Sequence, residues 1–340
     1  MEAKAIIPWS PTRAATLAAC AQRYALQYVV GAKARITPQD KPARWLGKQG
    51  RWRAPMDCTV MISREVLRLR LQDANEGTVW SEAVVRGEFS RRLKKTLDTQ
   101  FDDQERLARR MGWNRTPQRR VTKVRFEKLV EEGMKRLLSA EKHPLLARLL
   151  KSPKDIEWMV PNQFHTFEAN GARLYSAPDL IIREGRKWRL VRISGDVMKV
   201  KPAPVKAIEM DTMLLWAERA EGLPNGAHRF KLSRFGWERG KWKVWTQKGS
   251  KRSRENASEL VRNDIQAMRH AKRQMGPAMD IDRLPFAESE WRCRECPYRW
   301  NCQGFNNPKG SRLNQEIRER RLADSWKNAV KKVQNALQEE

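Results

Sequence analysis

The sequence predicts an α/β fold, and three observations carry the prediction. Early in the 340 residues, apolar positions recur at helical spacing; from residue 156 on, short β-branched and aromatic runs alternate with turn residues; helical spacing then returns. Residues 1–35 open with a Pro-Trp-Ser-Pro turn from Pro8 to Pro11, then place Leu17, Cys20, Tyr24 and Tyr28 on a helical pattern. Residues 36–60 hold Pro38, Pro42, Gly47, Gly50 and Pro55 among arginines and are expected to form an irregular connection. Residues 61–150 are expected to be mostly helical and basic, with breaks at Asn75-Glu76-Gly77 and Pro117. Leu129, Met134, Leu137, Leu138, Leu145, Leu146, Leu149 and Leu150 supply their apolar face.

The texture changes at Pro153. Strands are expected over 156–160, 163–168, 173–182 and 188–193, divided by turns such as Asn170-Gly171 and Glu184-Gly185-Arg186. A helix over 203–221, strands over 229–233 and 242–246, and a helix over 255–275 follow. The stretch 285–310 is Cys-rich and irregular. Residues 312–338 fit an amphipathic helix through Leu313, Ile317, Leu322, Trp326, Val330, Val333 and Leu337. The divisions expected are 1–35, 36–152, 153–305 and 306–340.

Lys and Arg number 69 against 40 Asp and Glu, a net charge of +29. Such an excess favours polyanions, because each cation placed near a phosphate releases a condensed counterion. The 14 Trp argue against wholesale disorder. No apolar run approaches the ~20 residues of a membrane span, and no secretory leader is visible. A soluble, cytoplasmic nucleic-acid-binding protein is therefore expected, with no membrane partner.

Cysteines stand at 20, 58, 293, 296 and 302, the last three as C-x2-C-x5-C. Clustered cysteines in an intracellular chain point to metal ligation. One loop supplies three soft ligands, and Cys20 or Cys58 is available as a fourth. Spacing alone leaves iron–sulfur and zinc both open, although the x5 gap fits the usual zinc knuckles poorly.

Trp9-Ser10-Pro11-Thr12, then Leu17-Ala-Ala-Cys20-Ala-Gln-Arg23-Tyr24 and the closing Cys293-Arg-Glu-Cys296-Pro-Tyr-Arg-Trp-Asn-Cys302, resemble RecB-type PD-(D/E)XK nuclease domains with an iron–sulfur staple. AddB-type recombination nucleases and the exonucleases of CRISPR adaptation share this layout. The resemblance spans roughly residues 5–305. It implies a central mixed sheet flanked by helices, a helical N-terminal region, and a C-terminus tied back by a [4Fe–4S] cluster on Cys20, Cys293, Cys296 and Cys302. Zinc is the alternative, and Cys58 is left as a spare thiol. Such a tie closes a loop of about 270 residues, where loop-closure entropy is large.

Nucleases of this family hold one or two divalent cations on carboxylates. The family pattern implies a His-bearing helix, an Asp on one strand, Asp/Glu-x-Lys on the next, and a Gln-x-x-x-Tyr helix. Ser176-Ala177-Pro178-Asp179-Leu180-Ile181 is similar to the Asp strand, with Glu157 a further candidate upstream. The next strand reads Arg192-Ile193-Ser194 where Asp/Glu-x-Lys is expected. Lys187, Asp196 and Lys199 do not restore the spacing. Thr212 and Trp216 stand in the Gln and Tyr places, and Gly77-Thr-Val-Trp80-Ser81-Glu82, the candidate for the first helix, has no His. These departures imply an inactivated nuclease fold serving as a nucleic-acid-binding accessory or structural subunit, with DNA favoured over RNA and a protein partner in a larger complex. The alternative is a divergent Mg2+- or Mn2+-dependent deoxyribonuclease with a relocated site.

The expected nucleic-acid contacts are Arg51, Arg53, Arg109, Arg110, Arg119, Arg120, Arg192, Lys231, Arg234, Lys241 and Lys243. Many lie beside Trp45, Trp52, Trp113, Phe235, Trp237 or Trp242, which could stack on bases.

Overall fold

Ser10 turns a strand into a helix. Strand β1 (Ile7–Trp9) ends there, Ser10 Oγ accepts from the Arg13 backbone N–H at 3.3 Å, and Pro11 takes the first position of α1 (Pro11–Ala19). Cys20 has extended backbone and breaks that helix. Its Sγ caps the next one, α2 (Ala21–Tyr24), by accepting from Arg23 N–H at 3.4 Å. A π-helical stretch over 25–30 leads into α3 (Gly31–Lys33). In the computed structural model the described residues are 6–33, 41–111, 116–151, 156–169, 171–194, 201–287, 290–294, 296–299 and 302.

A helical layer follows: α4 (Lys41–Gln49), α5 (Pro55–Asn75), α6 (Glu82–Met111), α7 (Lys123–Ala140) and α8 (Pro144–Lys151). The expected irregular connection over 36–60 is thus corrected, since 41–49 and 55–60 are helical. Pro42 and Pro55 sit in first turns, where the N–H that proline lacks has no helical partner to lose. The breaks expected near 75–77 and 117 fall between helices.

The strands are β2 (Trp158–Met159), β3 (Phe167–Ala169), β4 (Ala172–Leu174), β5 (Leu180–Glu184) and β6 (Lys187–Ser194). After α9 (Pro204–Ala217) come β7 (Phe230–Glu238), β8 (Lys241–Lys248), α10 (Lys251–Met275) and the short α11 (Glu290–Arg294). The main sheet has the order β2-β5-β6-β7-β8, antiparallel except for the β6–β7 pair, which α9 connects in parallel. A smaller sheet has the order β1-β4-β3. The single strand expected over 173–182 is therefore two strands in different sheets. Pro178 between them lacks the N–H that an unbroken ladder requires.

Alternation along the main sheet feeds two cores. Leu180, Ile182, Val191, Ile193, Phe235 and Trp237 pack with α5–α8, while Ile181, Trp188, Leu190, Phe230 and Leu232 pack with α9. A third core joins β1, α1 and α2 to α10 through Trp9, Leu17, Tyr24, Val261, Ile265 and Met268. Trp9 Nε1 also donates to the buried Asp264 at 2.9 Å. Among the described residues no helix is long and apolar enough to cross a membrane. The amphipathic helix expected over 312–338 lies outside the described residues.

Two buried carboxyls in this frame respond to pH. Asp211 on α9 accepts from Gln247 Nε2 on β8, and burial pushes its pKa from the usual 3.8 up to about 8; burial also pushes Asp264 up to about 7. Between the unfolded and folded values the native state holds a proton that the unfolded chain has lost. Stability therefore falls as pH rises from about 4 towards 8 and levels off above. Asp211→Asn mimics the neutral acid. Denaturant titration is expected to show it more stable than wild type by on the order of 3 kcal/mol at pH 8.5, with little difference at pH 4.

Candidate functional site

Asp179 stands at the mouth of β5, and the ladder to β6 fixes it: its N–H donates to Val191 O at 2.8 Å, and its Oδ2 accepts from Ile193 N–H at 2.8 Å. The carboxylate is fully buried. Three guanidinium groups surround it. Arg64 Nη2 donates to Oδ1 at 2.8 Å, Arg68 Nε lies 3.5 Å from Oδ1, and Arg192 Nη1 lies 3.7 Å from Oδ2. Gln163 Nε2 also donates to Oδ1. Arg64 and Arg68 share one face of α5 because they are four residues apart. Burial alone would raise the Asp179 pKa, but Arg64, Arg192 and the hydrogen bonds hold it below the usual carboxylate range. Burial acts in the opposite sense on Arg68 and Arg192, lowering both, with Asp179 opposing it. Guanidinium groups stay charged regardless.

This centre opens onto a groove of about 800 Å³ whose lining includes Arg53, Arg64, Arg192, Lys206, Glu209 and Arg234. Arg234 Nη2 donates to Ser194 Oγ at 3.4 Å, and Lys206 Nζ pairs with Glu209 at 2.7 Å. The donor set does not suit a divalent cation. Unit charges ~4 Å apart interact by ~4 kcal/mol at an effective dielectric constant of ~20, so one attractive carboxylate faces three repulsive partners. Among the described residues no group of three or more His, Cys, Asp or Glu side chains is arranged to hold a metal ion.

Of the expected nucleic-acid contacts, Arg53, Arg192 and Arg234 meet in the groove. The others do not line it. Lys231 pairs with Glu184 at 2.9 Å, Lys243 with Glu238 at 3.1 Å, Arg109 with Glu105 at 3.5 Å, and Arg120 with Asp102 at 3.0 Å. Arg51, Arg110, Arg119 and Lys241 are exposed elsewhere. Glu157 does not join Asp179: it pairs with Arg183 at 2.5 Å, four residues farther along the sheet. The aromatic expectation needs correction, since Trp52, Phe235, Trp237 and Trp242 are core residues; Trp113 lies outside the described residues. The helix facing Asp179 is α5 and not the segment at 77–82, which forms the turn into α6. Thr212 and Trp216 are buried and bond to Glu209 O and His165 O, leaving Lys206, Glu209 and Met210 as the α9 residues on the groove. Asp196 and Lys199 lie outside the described residues. Arg64, Arg68, Lys206 and Gln163 escaped sequence reasoning; the i,i+4 arginine pair was the available signal.

The second candidate site is a cavity of about 300 Å³ lined by Cys20, Cys293, Cys296 and Cys302 together. None of the four is joined in a disulfide. Burial pushes Cys20 up to about 12, and the other three cysteines add to the rise, which reflects their proximity. Arg23 also lines the cavity, and its Nε is buried without a hydrogen-bond partner among the described residues. The C-terminal segment is anchored beside it: Tyr298 OH donates to Leu46 O at 2.9 Å, and Gln49 Nε2 to Pro297 O at 2.7 Å. Gly50 is required there, because a Cβ would lie 2.5 Å from Tyr298 OH. The four thiols therefore share one partly open cavity with the Arg23 guanidinium, although their positions in the described residues do not form a closed metal-ligand group. Cys58 is apart from them, buried in the helical core with its Sγ accepting from Gln100 Nε2 at 3.0 Å.

The Asp179 arrangement has a stability consequence. Removing the carboxylate leaves three guanidinium groups crowded around a void, and breaking a buried pair costs about 3–5 kcal/mol. Asp179→Ala is expected to lose stability of that order in denaturant titration. A solvated, metal-free ligand carboxylate would instead give a change near zero.

Comparison with known proteins bears on the same span. A family model described as the PD-(D/E)XK nuclease superfamily matches residues 8–303, covering β1, the helical layer, both sheets and the cysteine segment. Searches of curated proteins and of solved structures found no match. With the mixed sheet, the Asp at the head of β5 and the β6–α9–β7 crossover inside the matched span, the chain belongs to the PD-(D/E)XK nuclease superfamily.

Proposed function

We propose that the chain is a nucleic-acid-binding accessory or structural subunit of a larger assembly, built on a RecB-type nuclease fold whose catalytic centre has become cationic. The observation that carries this reading is the charge around Asp179: the one carboxylate in the family's metal-ligand position is already neutralised by Arg64, Arg68 and Arg192. Metal-dependent hydrolysis needs a cation to activate water and to take up charge on the phosphate. A centre crowded with guanidinium groups repels that cation and attracts the phosphate itself. The net charge of +29 and the basic groove support the same reading, with DNA favoured over RNA.

Within this reading, Cys20, Cys293, Cys296 and Cys302 hold a [4Fe–4S] cluster. When bound, the cluster supplies a covalent tie between the N-terminal helices and the C-terminal segment. Cys20 and Arg23 position one side of its cavity, while Tyr298 and Gln49 fix the other. As a thiol, Cys302 donates from Sγ to Gln22 Oε1 at 3.7 Å, a bond that ligation as thiolate would give up. A second reading, a divergent metal-dependent deoxyribonuclease, draws on Asp57 and Glu209, the carboxylates that line the groove.

Two measurements test these points. Protein purified anaerobically is expected to be brown and to contain iron, with the colour lost on Cys20→Ala; zinc without iron contradicts the cluster. Incubated with Mg2+ or Mn2+, it is expected to bind single- or double-stranded DNA without cutting, with affinity falling at least about tenfold between ~50 and ~200 mM salt. Cleavage that disappears in Asp179→Ala overturns the accessory reading.

A further inference from the structure

The groove has more cationic capacity than its own carboxylates use. At its centre three guanidinium groups face Asp179, with Glu65 a second carboxylate near Arg64 and Arg68, leaving one positive charge in excess. Among the described residues Arg68 Nε, 3.5 Å from Asp179, and Arg192 Nη1, 3.7 Å from it, make no hydrogen bond to the carboxylate, and Arg68 Nη2 donates instead to Pro161 O at 3.1 Å. Arg192 is instead oriented by its other terminal nitrogen, Nη2, which donates to Ser176 O at 3.3 Å. Asp179 thus works as an internal counter-ion that holds the arginines together without saturating them. Around it, Arg53, Lys206 and Arg234 add cations against Asp57 and Glu209, and the volume of about 800 Å³ has room for a nucleotide.

Charge separates the possible anions. A backbone phosphodiester carries one negative charge, whereas a terminal phosphomonoester carries about −1.5 to −2 at pH 7 and presents three acceptor oxygens. Planar guanidinium groups match such an oxygen array better than a single-point cation does. We propose that the groove centred on Arg64 and Arg192 is a phosphate-binding pocket that captures the phosphorylated terminus of a nucleic-acid strand. This use rests on the nucleic-acid-binding reading above and adds a preference for strand ends. The pocket converts a cation-binding position into an anion-binding one by substituting the protein's own guanidinium groups for the metal.

The test uses the full-length protein and fluorescent single-stranded oligonucleotides of one sequence, ending in 5′-phosphate, 3′-phosphate or hydroxyls only. Binding is followed by anisotropy at fixed ionic strength. At least one phosphorylated end is expected to bind tenfold or more tightly than the hydroxyl-ended strand, and the two phosphorylated arms identify which end. Inorganic phosphate is expected to compete with that strand better than chloride at equal ionic strength. Arg192→Gln is expected to abolish the preference. Should that variant fold poorly, Arg234→Gln on the groove wall is expected to reduce the preference severalfold. Equal affinity for phosphorylated and hydroxyl ends overturns the proposal while leaving general nucleic-acid binding intact. Retention of inorganic phosphate with no oligonucleotide binding supports the pocket and overturns the nucleic-acid reading instead.

Discussion

A carboxylate with no exposed surface has to be neutralised from within the protein, and the way Asp179 is neutralised sets the character of this molecule. The backbone at Val191 and Ile193 fixes where the carboxylate sits, and α5 brings Arg64 and Arg68 to it across more than a hundred residues of sequence. Arg192, on the neighbouring strand, completes the shell. The helical layer and the main sheet are therefore joined at this point by electrostatics as well as by their shared apolar core. The same charges decide what the groove can attract. A cation meets net repulsion there, and an anion meets attraction.

The two ends of the chain depend on a different constraint. Cys20 breaks one helix and caps the next, an unusual local role that points its sulfur towards the C-terminal thiols. Protein groups hold the segment bearing Cys293, Cys296 and Cys302 in place: Tyr298 is clasped by Leu46 over Gly50, and Gln22 and Gln49 donate to Leu284 and Pro297. The cluster proposed for this cavity would reinforce a closure that packing already sets. Loop closure over such a distance is entropically costly, so several weak ties act together.

Much of this was legible in the sequence, for identifiable reasons. The strands expected over 188–193, 229–233 and 242–246 were readable because period-two burial between two helical layers demands apolar side chains on both faces, while the second half of β7, over 234–238, was not. Asp179 was legible through the resemblance to the family's Asp strand; spacing showed only the trio Cys293, Cys296 and Cys302, and the choice of Cys20 over Cys58 came with the resemblance. Sequence could not reveal that Arg64 and Arg68 reach Asp179, since that contact is set by how α5 crosses the sheet. Nor could it sort tryptophans. Trp52 stands between Arg51 and Arg53 and Trp242 between Lys241 and Lys243 in sequence, yet both point into the core, because neighbouring residues on a strand or at a helix entry face opposite ways. The prolines at 42 and 55 misled for a related reason: they mark helix starts as readily as irregular chain.

The balance of charge at Asp179 can be measured directly by titrating the protein with Mn2+ and following the paramagnetic resonance of the free ion. If the guanidinium groups have taken the cation's place, the free-ion signal rises in step with added metal, and Asp179→Asn behaves as wild type. Saturable loss of one or two ions per chain in wild type, abolished by Asp179→Asn, would contradict this account.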